Sequence, residues 1–121
     1  MKKMFGLLLL AVSLNATAGK AICRAKVTDV QLNTANRLVA SFVGVSDQYT
    51  KPMTVKNSGL CTLNGSASEY CQALYSAMLI ALTTQNEVTM WFKNTDVDQV
   101  CPSGNYQSLD KKGLYNFRLQ R

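Results

Sequence analysis

Apolar and polar side chains alternate along five short segments that follow an apolar N-terminal stretch, a pattern typical of strands that bury one face. The five predicted strands are residues 22–32, 38–45, 53–56, 88–93 and 114–119. In the second of them, the alternation places Leu38, Ala40 and Phe42 on one face. Polar segments with turn-forming residues separate the strands, and the two longest loops are predicted at 46–52 and 94–112.

A helix is predicted between the third and fourth strands, from residue 67 to Thr84. Ser66 and Glu69 have the spacing of a capping box at its start, and Asn86 is expected to end it in a left-handed conformation. The order β-β-β-α-β-β is the arrangement of the OB-fold, a small barrel that binds oligonucleotides and oligosaccharides. The predicted fold class is therefore mainly β with one helix (β+α), built as a five-stranded OB-fold-like barrel.

The predicted helix is apolar on two sides, whereas a surface helix normally has one apolar stripe. The first stripe, expected to cover the mouth of the barrel, contains Tyr70, Cys71, Leu74, Met78, Ala81 and Leu82. The second contains Ala73, Tyr75, Ala77, Leu79 and Ile80. Either the loops at 46–52 and 94–112 cover this second stripe, or another chain does. We favour a second copy or a partner, with Ala73, Ala77 and Ile80 at the interface, because covering apolar surface contributes about 25 cal/mol per Å².

Residues 1–18 have the features of a secretory signal peptide. Lys2 and Lys3 precede the apolar run MFGLLLLAVSL, and Ala-Thr-Ala at 16–18 is a typical cleavage site. The run is shorter than the roughly 20 residues that span a bilayer, so no membrane span is predicted. We expect an exported domain at 19–121, periplasmic or secreted, from a Gram-negative bacterium. Removal of Lys2 and Lys3 would lower the formal net charge from +6 to +4.

The cysteine pattern also favours an exported domain. An even number of cysteines in a small exported protein predicts two disulfides. The four cysteines are Cys23, Cys61, Cys71 and Cys101. We favour Cys61–Cys71, which would close the loop that enters the helix, together with Cys23–Cys101. Spacing alone leaves open the alternative of Cys23–Cys61 with Cys71–Cys101.

Several kinds of chemistry are not predicted. The chain has no histidine, so neither a Ser-His-Asp nor a Cys-His nucleophile can form. No C-x-x-C pair indicates a zinc or redox site, and no metal or cofactor is expected. Asp96, Asp98 and Asp110 are interpreted as solvated loop charges. The chain is therefore predicted not to be an enzyme.

Basic and aromatic residues of the kind that bind nucleic acid are present at Arg24, Lys26, Tyr49 and Trp91. Export and a modest net charge argue against that role, so no nucleic-acid partner is predicted. Tyr49 and Tyr106 both lie in polar loops. We expect these two rings to be exposed and able to stack on a sugar or contact a protein.

The segment ALYSAMLIALTTQNEVTMWF, residues 73–92, resembles the helix–strand segment of the receptor-binding B subunits of AB5 toxins, in particular the subtilase-cytotoxin and pertussis-like class. The chain is also similar to small secreted proteins of gammaproteobacteria with a Gly-Lys-Ala-x-Cys start. The toxin resemblance implies a pentameric ring, a catalytic A subunit as partner and binding of sialylated host glycans. It places Thr28 at the position of a sugar-binding serine. The aromatic-rich stretch of that class is replaced here by NTDVDQVCPSGNY.

The sequence therefore predicts a secreted, non-catalytic binding subunit that forms an oligomer and binds a host glycan or surface receptor. The predicted ligand contacts are Lys26, Thr28, Tyr49 and Tyr106. The alternative is a periplasmic inhibitor or immunity protein directed against a cell-wall hydrolase or a delivered toxin, because such proteins are also small, exported and disulfide-linked. A monomeric periplasmic stability factor is a third possibility.

Overall fold

A computed structural model describes residues 19–121, and the predicted signal peptide at 1–18 lies outside the described residues. The fold is mainly β with one helix, and its seven strands form one mixed sheet. The elements are β1 Gly19–Leu32, β2 Arg37–Gly44, β3 Lys51–Pro52, β4 Val55–Thr62, α1 Ser68–Thr84, β5 Glu87–Thr95, β6 Gly104–Asn105 and β7 Leu114–Gln120.

The strand order is β6-β4-β2-β1-β5-β7, and β3 pairs with β1 outside this path. The five long strands pair antiparallel, while β3 on β1 and β6 on β4 are parallel. The prediction of a five-stranded barrel was wrong, because both long loops contribute a two-residue strand and no ladder joins β6 to β7 within residues 19–121. The sheet still curls, since the turn after β6 bonds to both β4 and β5: the Leu109 N–H donates to Gly59 O at 2.8 Å, and the Lys93 N–H donates to Gly113 O at 3.1 Å.

Strand β4 also corrects the prediction, which placed a short strand at 53–56 followed by a loop. The strand continues to Thr62 through polar residues whose hydrogen bonds are made inside the sheet. Ser58 is fully buried; its hydroxyl donates to Lys56 O at 3.1 Å and accepts the Gln107 N–H at 3.1 Å. A sequence that looks like a loop therefore forms a strand, because buried polar groups are tolerated once they are paired.

The core lies between the sheet and α1, which packs mainly on β1. Alternate residues of β1, namely Cys23, Ala25 and Val27, point into it. Four residues of the first helix stripe are buried there: Cys71, Leu74, Met78 and Ala81. The largest fully buried side chains are Leu38, Phe42, Met53, Leu60, Met78, Met90, Phe92 and Leu109.

The helix ends at Thr84 as predicted, but it begins at Ser68, one residue later than predicted. The N-cap is Ala67, which makes no side-chain capping bond, so the capping box of Ser66 and Glu69 does not form. The left-handed residue that follows the helix is Gln85, and not Asn86 as predicted, with a φ of 61°. Its backbone N–H donates to Ala81 O at 2.8 Å and its side-chain amide donates to Val27 O at 3.1 Å. The contact with β1 explains why Gln85 takes this position.

The disulfides are Cys23–Cys101 and Cys61–Cys71, the pairing that the loop argument favoured. The first holds the loop after β5 against β1, and the second joins β4 to the first turn of α1. Each bond of this type contributes about 2–4 kcal/mol to stability. Such bonds are compatible with an oxidising, exported location. None of the described helices has the length and hydrophobicity needed to cross a membrane.

Candidate functional site

A concavity of about 440 Å³ lies on the face of β1, β5 and β7 that points away from α1. We call it the outer-face site. It is lined by Ile22, Arg24, Asp47, Tyr49, Thr50, Thr89, Trp91, Arg118 and Gln120. Residues 45–50, between β2 and β3, form its wall, and the three strands form its floor.

Strand register brings the floor residues together. Ile22 of β1 lies opposite Trp91 of β5, and Arg24 lies opposite Thr89. Thr89 in turn lies opposite Arg118 of β7. Because directly paired residues in antiparallel strands project to the same face, all five side chains share the outer surface.

Arg24 is the electrostatic centre of the outer-face site. Its Nη1 lies 2.8 Å from Asp47 Oδ2 and its Nε lies 2.7 Å from Glu87 Oε1. The Nε contact is an ion pair without hydrogen-bond alignment, so this buried N–H has no aligned acceptor. The side chain is 17% exposed, so the charges are only partly screened by water.

The backbone of Arg24 fixes the same loop. Its carbonyl oxygen accepts the N–H groups of Val45 at 3.1 Å and Met53 at 3.2 Å. Asp47 therefore reaches Arg24 from a loop that is anchored at both ends. The wall of the outer-face site is positioned by one residue of β1, through its side chain and its main chain together.

Two aromatic rings give the site an apolar surface. Tyr49 on the wall is 78% exposed. Trp91 on the floor is half-buried, and the guanidinium of Arg118 lies 5.3 Å from the centroid of its ring. No carboxylate pairs with Arg118 in the part of the chain that the structure describes. Exposed aromatic rings beside fixed polar groups suit a ligand with an apolar face and hydroxyl groups.

The predicted ligand contacts are spread over the molecule. Tyr49 lines the outer-face site, and Lys26 lies two residues beyond Arg24 on the same face of β1, opposite Glu87. Thr28 is exposed at an irregularity between Val27 and Asp29, further along β1. Tyr106 is exposed just after β6, at the other end of the strand order. The structure brings Tyr49 and Lys26 to one surface and leaves the other two apart.

Sequence reasoning missed Asp47, Arg118 and Gln120 as site residues. Thr89 was missed as well; its hydroxyl donates to Gln120 Oε1 at 2.6 Å. The only available signal was the two-residue period of the first, fourth and fifth predicted strands. That signal identifies residues of the outer face only when the pairing of the strands is known.

A second surface lies between α1 and β7, and we call it the helix groove. It has a volume of about 310 Å³. It is lined by the uncharged residues Tyr70, Ala73, Leu74, Ala77, Tyr115, Asn116 and Phe117. Burial raises the pKa of the Tyr70 phenol. β7 pairs with β5 and with no other described strand, so its second edge is free beside the groove.

Of the predicted interface residues, Ala73 and Ala77 line the helix groove, and Ile80 lies further along the same stripe of α1. Ala73 is exposed and Ala77 is half-buried, while Ile80 is 51% exposed. The loops at 46–52 and 94–112 therefore do not cover the second stripe of α1 in the single chain. Tyr70, assigned by the sequence to the first stripe, is also 45% exposed, because the helix turns it toward β7.

The three loop carboxylates do not form a catalytic pair. Asp96 binds Lys112 Nζ at 3.0 Å, Asp98 accepts the Lys20 N–H at 2.9 Å, and Asp110 binds Arg37. Among residues 19–121 there is no cluster of three or more potential metal ligands of the His, Cys, Asp or Glu type. These carboxylates have structural partners, and the prediction of purely solvated charges was too simple.

Comparison with known proteins adds no relative: no family model matches the chain, and no curated protein matches it.

Proposed function

We propose that this chain is an exported, non-catalytic binding subunit that holds a saccharide in the outer-face site and assembles with further copies through the helix groove. The observation that carries the proposal is the outer-face site itself, where Tyr49 and Trp91 lie beside the anchored Arg24–Asp47 pair. This combination is chemically suited to a sugar ring.

The aromatic rings and the charged side chains of the outer-face site would contact different parts of a sugar. The apolar face of a pyranose would stack on the exposed Tyr49 ring, since its C–H groups meet the electron-rich face of the aromatic ring. Hydroxyl groups would bond to Asp47 and to the donors of Arg24, whose positions are already fixed. Arg118, with its donors in a rigid fork, would bind a carboxylate. The ligand class is an acidic saccharide, as the toxin resemblance also implies.

The fold supports the same proposal. The single helix lies between the third and fourth of the five long strands, and β1 lies at the centre of their order. We regard the curled sheet as a variant of the OB-fold, in which the segment containing β6 pairs with the β4 edge of the sheet. In an assembly of the AB5 type, a catalytic A subunit would be the further partner.

Assembly is supported by the uncovered second stripe of α1. Ile80 and Leu79 are 51% and 40% exposed, and the adjoining groove has no charged lining residue. Apolar surface of this kind is stabilised by about 25 cal/mol per Å² when a second copy removes it from water. The free edge of β7 supplies unpaired backbone groups at the same place.

The saccharide proposal is tested by glycan-array binding of the oxidised protein, followed by titration of the bound glycan. Tyr49→Ala is expected to weaken binding about tenfold, corresponding to about 1.4 kcal/mol for a stacked aromatic. Tyr106→Ala is the matched control, because both rings are 78% exposed. Equal affinities of the two variants would exclude the outer-face site as the binding site.

Light scattering on the same protein tests assembly. A monomer that binds no saccharide would contradict both halves of the proposal and favour the periplasmic inhibitor or immunity protein. A monomer that binds a saccharide would retain the site and remove the toxin-like ring.

A further inference from the structure

The first residues of β1 are held by the turn that follows β5. Gly19 pairs with Thr95 in the β1–β5 ladder. The Lys20 N–H donates to Asp98 Oδ1 at 2.9 Å, and the Lys20 carbonyl accepts the Gln99 N–H at 2.8 Å. The start of the described chain and the turn at 95–101 are therefore joined by hydrogen bonds.

Gly19 fits this turn so closely that a side chain has no space. A Cβ at this position would lie 2.6 Å from Asp98 N and 2.7 Å from Thr95 Oγ1. Approaches under 3.0 Å force a neighbour to move, and here the neighbours include backbone. The backbone of Gly19 consequently lies directly against the residue whose carboxylate binds Lys20.

The carboxylate of Asp98 has no cationic partner within the described chain, whereas Asp96 in the same turn is paired with Lys112 Nζ at 3.0 Å. The nitrogen of Gly19 is one residue away from the Lys20 nitrogen that Asp98 already binds, a step of about 3.5 Å along a strand. A positive charge on that nitrogen would therefore lie within about 6 Å of the carboxylate, close enough for the two opposite charges to attract each other.

The predicted signal-peptide cleavage supplies that charge. Hydrolysis by a signal peptidase breaks the Ala18–Gly19 peptide bond, with the hydroxyl of water going to the Ala18 carboxyl group and its hydrogen to the Gly19 nitrogen. An α-amino group has a pKa of about 7.7–8.0 and is therefore mostly protonated at neutral pH. We infer that the new α-ammonium group of Gly19 pairs with Asp98 and fixes the 95–101 turn on β1.

This pairing makes the turn sensitive to processing, and the inference rests on the export of the proposed function but not on saccharide binding or assembly. In the precursor the Gly19 nitrogen is a neutral amide and cannot form an ion pair. In the processed chain the turn is held at both ends, by the ammonium group at Gly19 and by the disulfide from Cys101 to Cys23. The processed form is thus the more stable form of the domain.

The test uses the full chain exported to the periplasm, so that processing occurs naturally, and begins with an intact mass. The expected mass corresponds to a chain that starts at Gly19 with two disulfides. Thermal unfolding is then followed between pH 6 and pH 10. An ammonium whose pKa is raised in the folded state by Asp98 stabilises fully below about pH 8, and this stabilisation is lost as the pH rises through the folded pKa.

Asp98→Asn keeps an oxygen for the Lys20 N–H and removes only the charge. Over that pH range the midpoint of the processed wild-type chain should fall by about 2–4 °C more than the midpoint of Asp98→Asn, the shift expected for one partly exposed ion pair. Asp96→Asn is the matched control and should retain the wild-type pH profile. A chain with one alanine inserted before Gly19 should behave like Asp98→Asn, because its ammonium is displaced by one residue.

Labelling of the α-amine gives a second readout that needs no unfolding. With an acylating reagent at pH 7, the wild-type amine should react about three- to tenfold more slowly than that of Asp98→Asn, because a higher pKa leaves less free amine. A processed chain that starts elsewhere overturns the inference. Equal labelling rates and parallel pH profiles for wild type and Asp98→Asn overturn it as well.

Discussion

The outer-face site and the helix groove share strand β7. Arg118 and Gln120, near the end of the strand, line the outer-face site, whereas Tyr115, Asn116 and Phe117, nearer its start, line the helix groove. One edge strand therefore serves two surfaces of different character. The two surfaces differ in whether their side chains already have partners within the chain.

In the outer-face site the charged groups are mostly paired with each other. Arg24 is bound by Asp47 and Glu87, and Thr89 is bound to Gln120. The helix groove has no charged lining group, and its apolar residues other than Leu74 are at least partly open to water. The first surface is thus stable as it is and can offer its fixed groups to a ligand, while the second is stabilised only when another surface covers it.

The largest expected effect is a loss of stability on replacement of Arg24, which pairs with both Asp47 and Glu87. Arg24→Met keeps most of the apolar stem but leaves Asp47 and Glu87 near each other without their cation. We expect the free energy of unfolding to fall by about 2 kcal/mol, below the 3–5 kcal/mol typical of a fully buried pair because these groups are partly exposed. Denaturant unfolding of the oxidised protein measures the change.

Lys26→Met is the control for Arg24, since Lys26 lies on the same face of β1 opposite the same Glu87. It lacks an ion pair in the described structure, and its replacement should change stability by about 0.5 kcal/mol or less. Equal losses for the two variants would show that Arg24 is not the centre of the site.

The two surfaces also differ in how far the sequence predicts them. The exposed second stripe of α1 follows from local pattern, because Ala73, Ala77 and Ile80 are spaced by three and four residues on one helix. The long strands follow from their alternation in the same way. Local pattern failed at β4, where Asn57 and Ser58 look like loop residues but lie in a strand.

The outer-face site depends on pairing between distant strands, which local pattern does not contain. Arg24 and Trp91 were recognised as basic and aromatic residues, but their common surface requires β1 to lie beside β5. Asp47 and Arg118 become site residues only through the loop anchored on β1 and through the place of β7 beside β5. Residue types were therefore predictable, and their grouping was not.

The next effect concerns the helix groove and tests whether its apolar surface is covered by a second copy. Ile80→Glu places a charge in the exposed stripe of α1 and should lower the association constant about 10- to 20-fold, corresponding to about 1.4–1.8 kcal/mol. Sedimentation velocity over a concentration series measures the change. Val43→Glu is the matched control, because Val43 is 50% exposed and Ile80 is 51% exposed.

Val43 lies on β2, away from the helix groove, and its replacement should leave association unchanged. The same loss of association in both variants would indicate a general effect of charge and would remove the groove from the interface. The stability of each variant is checked by unfolding, and both replaced side chains are exposed.

A smaller effect is expected at Asp110, which lies in a depression that shares Tyr70 with the helix groove. Burial opposes ionisation of this carboxyl, but the hydrogen bonds from Arg37 and Ser108 outweigh it and hold its pKa below the usual value. A lowered folded pKa gives stability that is present above the unfolded pKa of about 3.9 and is lost as the pH falls through the folded pKa. Between pH 5 and pH 2, the wild-type chain should therefore lose about 1 kcal/mol more than Asp110→Asn.

Asp96→Asn is the control for Asp110, because Asp96 is also ion-paired but its side chain is 84% exposed. Its acid profile should follow that of the wild type. A loss at low pH that persists undiminished in Asp110→Asn would mean that other carboxylates determine the acid stability. In that case the Arg37–Asp110 pair would contribute little to holding the 108–112 turn.

Ionic strength should affect saccharide binding and self-association differently in the unsubstituted protein. This is the smallest effect that we expect. Raising the ionic strength from 0.05 to 0.5 M should weaken binding of an acidic saccharide about two- to fivefold, because the charge on Arg118 is exposed to screening. Association through the uncharged helix groove should be unchanged in sodium chloride and slightly stronger in sulfate. The dissociation constant by titration and the association constant by sedimentation are measured in the same buffers. Parallel weakening of both would place charged groups in the interface, and salt-independent saccharide binding would assign recognition to Tyr49 and Trp91 alone.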